Sequence, residues 1–256
     1  MDRATLDQLF DLSGRVAVVT GGTRGIGRSI AEGFAAAGAD VVVASRKADA
    51  CAETQAALEA MGGRALGVPT HLGEPDDLRA LVDATVDRFG GVDIVVNNAA
   101  TALAQMIEDI TPEAWQKVFD VNLRGPVLLV QAALPHLRAS DHASVINVVS
   151  VGAFLFSTYT SMYASAKAGL LQYTRSMATE FAPDGIRVNA LAPGTVDTDM
   201  VRANPPEAQE RMAGAALLRR AAHPDELVGP ALLLASDAGS FITGQCLVVD
   251  GGLAPR

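Results

Sequence analysis

Cysteine is scarce. Only Cys51 and Cys246 occur in 256 residues, in distant segments, with neither metal-ligand spacing nor a disulfide framework. That excludes a stapled secreted scaffold and predicts a reducing compartment and no metal site. Apolar runs are too short to span a bilayer. No basic cluster exceeds Arg219-Arg220 and the net charge is −9, which argues against nucleic acid or an anionic membrane as a partner. The opening residues, Met-Asp-Arg-Ala-Thr-Leu-Asp, have neither the basic start nor the apolar core of a signal peptide. The closing Leu-Ala-Pro-Arg carries no organelle address, so the cytoplasm is the expected location. Repeats, low-complexity tracts and linkers are absent as well. What remains, 49% hydrophobic and 19% charged, is a globular chain long enough for a single α/β domain over residues 1–256.

Apolar runs of strand length alternate with helical patterns. The runs predict strands at 15–20, 41–45, 64–69, 92–96, 144–149, 186–192 and 246–249. They are rich in Val, Ile and Leu without period-two alternation, as expected when both faces of a sheet are buried. Helices are predicted near 25–38, 48–61, 76–89, 112–138, 161–182, 207–217 and 224–236. Thr111-Pro112-Glu113 is a helix start: a capping residue, proline at the first position, an acid in the first turn. This alternation predicts a parallel sheet with helices on both faces and ligands at the carboxyl ends of its strands.

Two clusters point to chemistry. Tyr163 and Lys167 are four residues apart, one helical turn, with Ser150 upstream after the fifth predicted strand. A free phenol titrates near ~10. A cation on the same helix face favours the phenolate and lowers that value, giving a general acid/base. Upstream, a β-branched run ends in Thr20-Gly21-Gly22-Thr23-Arg24-Gly25-Ile26-Gly27 and a helical pattern follows. Backbone amides at such a helix start suit a pyrophosphate, and glycines let it approach. The spacing Gly21-x3-Gly25-x-Gly27 differs from the commoner dinucleotide fingerprint.

Together with Asn97-Asn98-Ala99-Ala100, Asn122 and Pro193-Gly194, these motifs stand in the order and spacing of one family, across nearly the whole chain. The sequence resembles the short-chain dehydrogenase/reductases and, more weakly, their carbonyl/retinal-reductase-like branch. The resemblance implies an α/β fold: a three-layer Rossmann fold with a doubly wound seven-stranded parallel sheet of order 3-2-1-4-5-6-7. It implies that Tyr163 donates the proton and Ser150 hydrogen-bonds the substrate oxygen. Lys167 would bind the nicotinamide ribose and lower the tyrosine pKa, and Asn122 would hold a water leading to solvent. Ser150 could instead cap its turn, and Asn122 could bond backbone to bridge a kink. The cofactor would meet Gly21, Thr23, Arg24, Gly25, Ile26, Gly27, Ser45, Arg46, His71, Leu72, Asn98, Ala99, Tyr163, Lys167, Pro193, Gly194, Val196 and Thr198. Two positions depart from the family pattern: His71 stands where an Asp or Asn is usual, and Ala100 replaces a glycine. His71 faces the adenine edge, contributes its backbone, or has no role.

The second predicted strand ends Val43-Ala44-Ser45-Arg46-Lys47, with no acid at the tip to bond a ribose 2′-hydroxyl. Arg46, with Arg24 from the glycine turn, suits a 2′-phosphate, which favours NADP(H), with NAD(H) possible. Alternatively Arg46 stacks on adenine and Arg24 is solvated. The pocket should be shaped by 100–106, the apolar 151–160 and a mobile lid of two short helices near 197–218. The expected substrate is therefore an apolar ketone, aldehyde or secondary alcohol. A 3-oxoacyl-thioester reductase, a sugar or polyol dehydrogenase and an NAD-dependent alcohol dehydrogenase are the alternatives. The C-terminal strand has an apolar edge that, exposed, would aggregate. Family tetramers cover it, so a homotetramer is expected, with a dimer as alternative.

Overall fold

The seven apolar runs pair side by side as β1 (Val16–Thr20), β2 (Asp40–Ser45), β3 (Ala65–Pro69), β4 (Ile94–Asn97), β5 (Ser144–Val148), β6 (Arg187–Pro193) and β7 (Cys246–Val249). Their order is β3-β2-β1-β4-β5-β6-β7, and all six neighbouring pairs are parallel. The computed structural model describes residues 2–156 and 158–254. The expected doubly wound α/β architecture and its strand order are both present.

The helices are α1 (Arg3–Gln8), α2 (Gly25–Ala36), α3 (Ala48–Ala60), α4 (Pro75–Phe89), α5 (Pro112–Phe119), α6 (Gly125–Ala139), α7 (Ser161–Phe181), α8 (Asp199–Arg202), α9 (Pro206–Gly214) and α10 (Val228–Ala235). Successive strand residues serve opposite layers. Ala17 and Val19 pack with Ile30 and Phe34 of α2, Leu58 of α3 and Leu234 of α10. Val18, between them, joins Leu81 of α4, Leu129 of α6 and Met177 of α7. With both faces covered, the strands have no solvent face to mark with polar residues, so the runs show no alternation; of the buried exceptions, Asn97 and Asn147 bond each other. At roughly 1.5–3 kcal/mol for each large side chain buried, Phe34 and Ile30, both 0% exposed, are enough to hold α2 on the sheet.

Three elements differ from expectation. The helix predicted over 112–138 starts as its signal says, with the Thr111 hydroxyl accepting from Ala114 N at 3.2 Å. It is then broken by a π-helical turn, Asp120–Arg124, before continuing as α6. Asn122 causes the break. Its Nδ2 donates to the Val118 carbonyl at 2.8 Å and the Thr101 carbonyl at 2.7 Å, while Oδ1 accepts from Thr101 N at 3.2 Å. A side chain drawn into the helical ladder widens the turn. The stretch 224–236 begins as a 3-10 turn, Pro224–Leu227, before α10. The third element, α1, was not expected. It is capped by Asp2 but buries no residue, so no apolar stripe announces it.

Candidate active site

The functional motifs converge at the carboxyl ends of β1, β4, β5 and β6. Thr20, last in β1, is buried and ties two strand ends together. Its hydroxyl donates to the Val96 carbonyl at 3.2 Å and accepts from Asn98 N at 3.0 Å and Ala99 N at 3.1 Å. Asn98 Nδ2 returns the link by donating to the Thr20 carbonyl at 2.8 Å. Asn98 and Thr20 therefore brace the glycine turn. Gly21 has φ +65° and Gly25 φ +52°, conformations that favour glycine. Gly27 is required for another reason: a Cβ there would overlap the Gly21 carbonyl and the Asn98 amide. The turn delivers the chain into α2, whose first turn carries no acid and whose N-cap residue Arg24 makes no side-chain cap bond. Its leading amides and positive dipole end are left for an anion.

Ser45 ends β2, and its carbonyl accepts from Thr70 N at 2.9 Å. Arg46 beside it is exposed, and no hydrogen bond or ion pair joins it to another described residue. Arg24 is not free. Its Nη1 lies 3.3 Å from Asp199 Oδ2 in α8. Leu72 is buried. His71 is exposed; its Nδ1 accepts from Gly73 N at 3.2 Å, which leaves Nε2 as the ring donor. It lines a cavity of about 520 Å³ with Gly73, Glu74 and residues of α5.

At the next strand ends stands the Ser–Tyr–Lys cluster. Ser150 is extended, and its hydroxyl caps the following 3-10 turn by accepting from Gly152 N at 3.1 Å. The capping role does not exclude a role at Tyr163, since the Ser150 side chain also works to lower the pKa of the phenol. Tyr163 and Lys167 share one face of α7, with Nζ 5.8 Å from the ring centroid. Lys167 is 1% exposed and donates to the Val148 carbonyl at 2.7 Å. That carbonyl is at the end of β5, a partner that reading residue types could not single out. Burial pushes Lys167 down to about 7. Tyr163 runs against expectation: burial pushes the phenol up, and only the bond to Ser150 works to lower it. Asn122 is fully buried, its two amide hydrogens both spent on backbone.

After β6, Gly194 N is taken by the Val249 carbonyl at 3.0 Å. Val196 is buried and bridged to Ala222. The neighbours of Val196, not its own N–H, make the bonds of that bridge, so its amide stays unpaired among the described residues. Thr198 packs its methyl against Gly25, bringing the segment before α8 down onto the glycine turn. Phe154 and Tyr159, in the segment that follows Ser150, are about half exposed. Tyr159 sits at φ +66°, a region a tyrosine adopts rarely, with its carbonyl accepting from Gln105 N at 2.8 Å. No group of His, Cys, Asp or Glu able to hold a metal occurs among the described residues, nor a helix long and apolar enough to cross a membrane.

A family model described as enoyl-(acyl carrier protein) reductase matches residues 21–254. The chain belongs to the short-chain dehydrogenase/reductase family. Its relatives support the carbonyl/retinal-reductase-like branch as well. It is 38% identical over 248 residues to human dehydrogenase/reductase SDR family member 4, covering 96% of this chain and 89% of that one. It is 38% identical over 239 residues to cis-4-hydroxycyclohexanecarboxylate dehydrogenase of Sinomonas cyclohexanicum, covering 93% and 96%. A blue fluorescent protein from a metagenomic library, solved in complex with NADPH, superposes with a TM-score of 0.91 at 32% identity, covering 96% and 100%. This short-chain dehydrogenase/reductase is an oxidoreductase of alcohol or carbonyl groups, in a family that uses nicotinamide dinucleotides.

Proposed function

We propose that this family member transfers hydride between NADP(H) and an apolar ketone, aldehyde or secondary alcohol. The observation that carries the cofactor choice is the tip of β2: Ser45 followed by an exposed, unpaired Arg46, with no carboxylate to bond a 2′-hydroxyl. A planar guanidinium matches phosphate in charge and fork geometry. The relative solved with NADPH supports the same choice. The residues fit a dinucleotide: uncapped amides at the start of α2, glycines at Gly21, Gly25 and Gly27, and the unpaired N–H of buried Val196. The fluorescence titration of NADPH and NADH should show NADPH binding more than tenfold tighter. Arg46→Ala should remove most of that gap, since one charge-assisted bond contributes about 1.5–3 kcal/mol. Equal affinities in the wild type would refute the NADP reading and favour oxidation of an alcohol with NAD.

The nicotinamide, when bound, supplies or receives the hydride. The protein's own groups handle the oxygen. Tyr163 donates its proton to the developing alkoxide, and Ser150 hydrogen-bonds the same oxygen. Lys167, one turn along α7, holds the cofactor ribose. Asn122 fixes the loop at Thr101 and so the floor of the cleft; the return of protons through a water beside it belongs to this reading too. Phe154 and Tyr159 give the cleft an apolar wall, and a carbocyclic alcohol is the named substrate of the Sinomonas relative. The segment carrying α8 and α9 serves as the lid.

The same reading includes a homotetramer. β7 pairs only with β6 and offers its other edge. Phe241, just before it, is fully exposed, and Trp115, stacked on Phe119 at 4.4 Å, is about half exposed on α5. Such surfaces in a monomer are aggregation hazards. Sedimentation equilibrium should give four times the chain mass of 26.5 kDa; a stable monomer would exclude the assembly.

A further inference from the structure

We propose that Asp199 tunes the discrimination between phosphorylated and unphosphorylated dinucleotides by competing for Arg24. This inference rests on the NADP reading above. Arg24 lies in the glycine turn directly above β1, as the N-cap of α2. Two anionic positions are open to its guanidinium, on opposite sides. The tip of β2, with Ser45 and Arg46, adjoins β1 on one side of the sheet. Asp199 belongs to α8, which follows β6, and β6 lies three strands away on the other side. A guanidinium paired with Asp199 is not free to pair with a phosphate at the β2 tip.

The structure has it turned to Asp199, with Nη1 3.3 Å from Oδ2. The other carboxylate oxygen meets Arg202 Nη2 at 3.4 Å, and Arg202 also bonds Asp197 Oδ1 at 3.0 Å. Asp199 therefore keeps a cation even when Arg24 leaves, so Arg24 can be released without stranding a lone carboxylate. Thr198 against Gly25 keeps the acid within reach of the turn. The pair is solvated, with side chains 73% and 58% exposed, so it holds Arg24 weakly. A 2′-phosphate, carrying about −1.5 to −2 charges, outcompetes one carboxylate. The unphosphorylated cofactor has no such group, and Arg24 stays on Asp199 when it binds.

The test is the dissociation constants of NADPH and NADH for the full chain: wild type, Asp199→Asn, Arg24→Ala and the double variant. Asp199→Asn should tighten NADPH about 3- to 5-fold, the factor equivalent to a surface ion pair of up to ~1 kcal/mol. NADH should move by less than about twofold, and the gain should vanish when Arg24 is already Ala. Raising the salt should shrink it, since the competing charges are exposed. An Asp199→Asn variant with unchanged NADPH affinity overturns the proposal. So does one that loses both cofactors together, since Asp199 would then be a clasp holding the lid. The NADP reading fails separately, if the wild type and Arg46→Ala treat the two cofactors alike. Asp199→Asn still decides the present proposal in that case, by whether it gains a preference for NADPH through Arg24.

Discussion

Lys167→Met should melt at a higher temperature than the wild type at neutral pH while turning over at least ~10²-fold more slowly. The stability half follows from burial. The Lys167 ammonium is 1% exposed, and a carbonyl, not a carboxylate, accepts its hydrogen bond. Desolvation takes it from the ordinary 10.5 to about 7. The folded value lies below the unfolded one, so between about 7 and 10.5 the unfolded chain holds a proton that the folded chain has released. Stability therefore rises with pH across that window. Below about pH 7 both states are protonated, and the full cost of burying the charge is carried. That cost is roughly 5 kcal/mol at full size. Methionine fills a similar volume without charge. It leaves the Val148 carbonyl unpaired, which costs ~1–3 kcal/mol. The net gain is on the order of 2 kcal/mol near pH 7, and it should shrink toward pH ~10 as the wild type sheds its penalty. Thermal melts of both proteins across that range check it. A gap that is absent, or independent of pH, would mean the ammonium is compensated by something other than Val148.

Tyr163→Phe should lower kcat about 10³-fold and leave cofactor affinity and melting temperature nearly unchanged. The loss is that of a general acid, worth 10²- to 10⁴-fold. Ser150 accepts from Gly152 N, so its turn stays capped without the phenol. Burial raises the phenol, so at neutral pH the group is protonated and ready to donate. Reduction should therefore persist to higher pH than a lysine-lowered phenol would allow. A Tyr163→Phe variant that keeps more than about a tenth of the activity would place the proton donor elsewhere.

Much of the fold was legible because its layers are simple. Val16–Thr20 and Ile94–Asn97 are buried on both faces, and such runs announce themselves. The site was legible where function demands residue types at fixed local spacing: the glycine turn, and Tyr163 with Lys167. What was not legible depends on distant partners. The π turn at Asp120–Arg124 interrupts an apolar pattern that reads as one helix, because Asn122 bonds Thr101, 21 residues away. Arg24 finds Asp199 at a separation of 175 residues. The upward tyrosine shift was not legible either, because charge proximity shows in a sequence and depth of burial does not. α1 buries nothing, so it leaves no periodic trace.

Whether Tyr163, Ser150 and Lys167 form a reductive site for a carbonyl group is tested most directly by NADPH consumption of the wild type over a panel of cyclic and aromatic ketones, repeated with Tyr163→Phe. Turnover of the apolar ketones should fall about 10³-fold in the variant while NADPH still binds. Turnover undiminished by Tyr163→Phe, or NADPH binding with no carbonyl reduced, would contradict such a site.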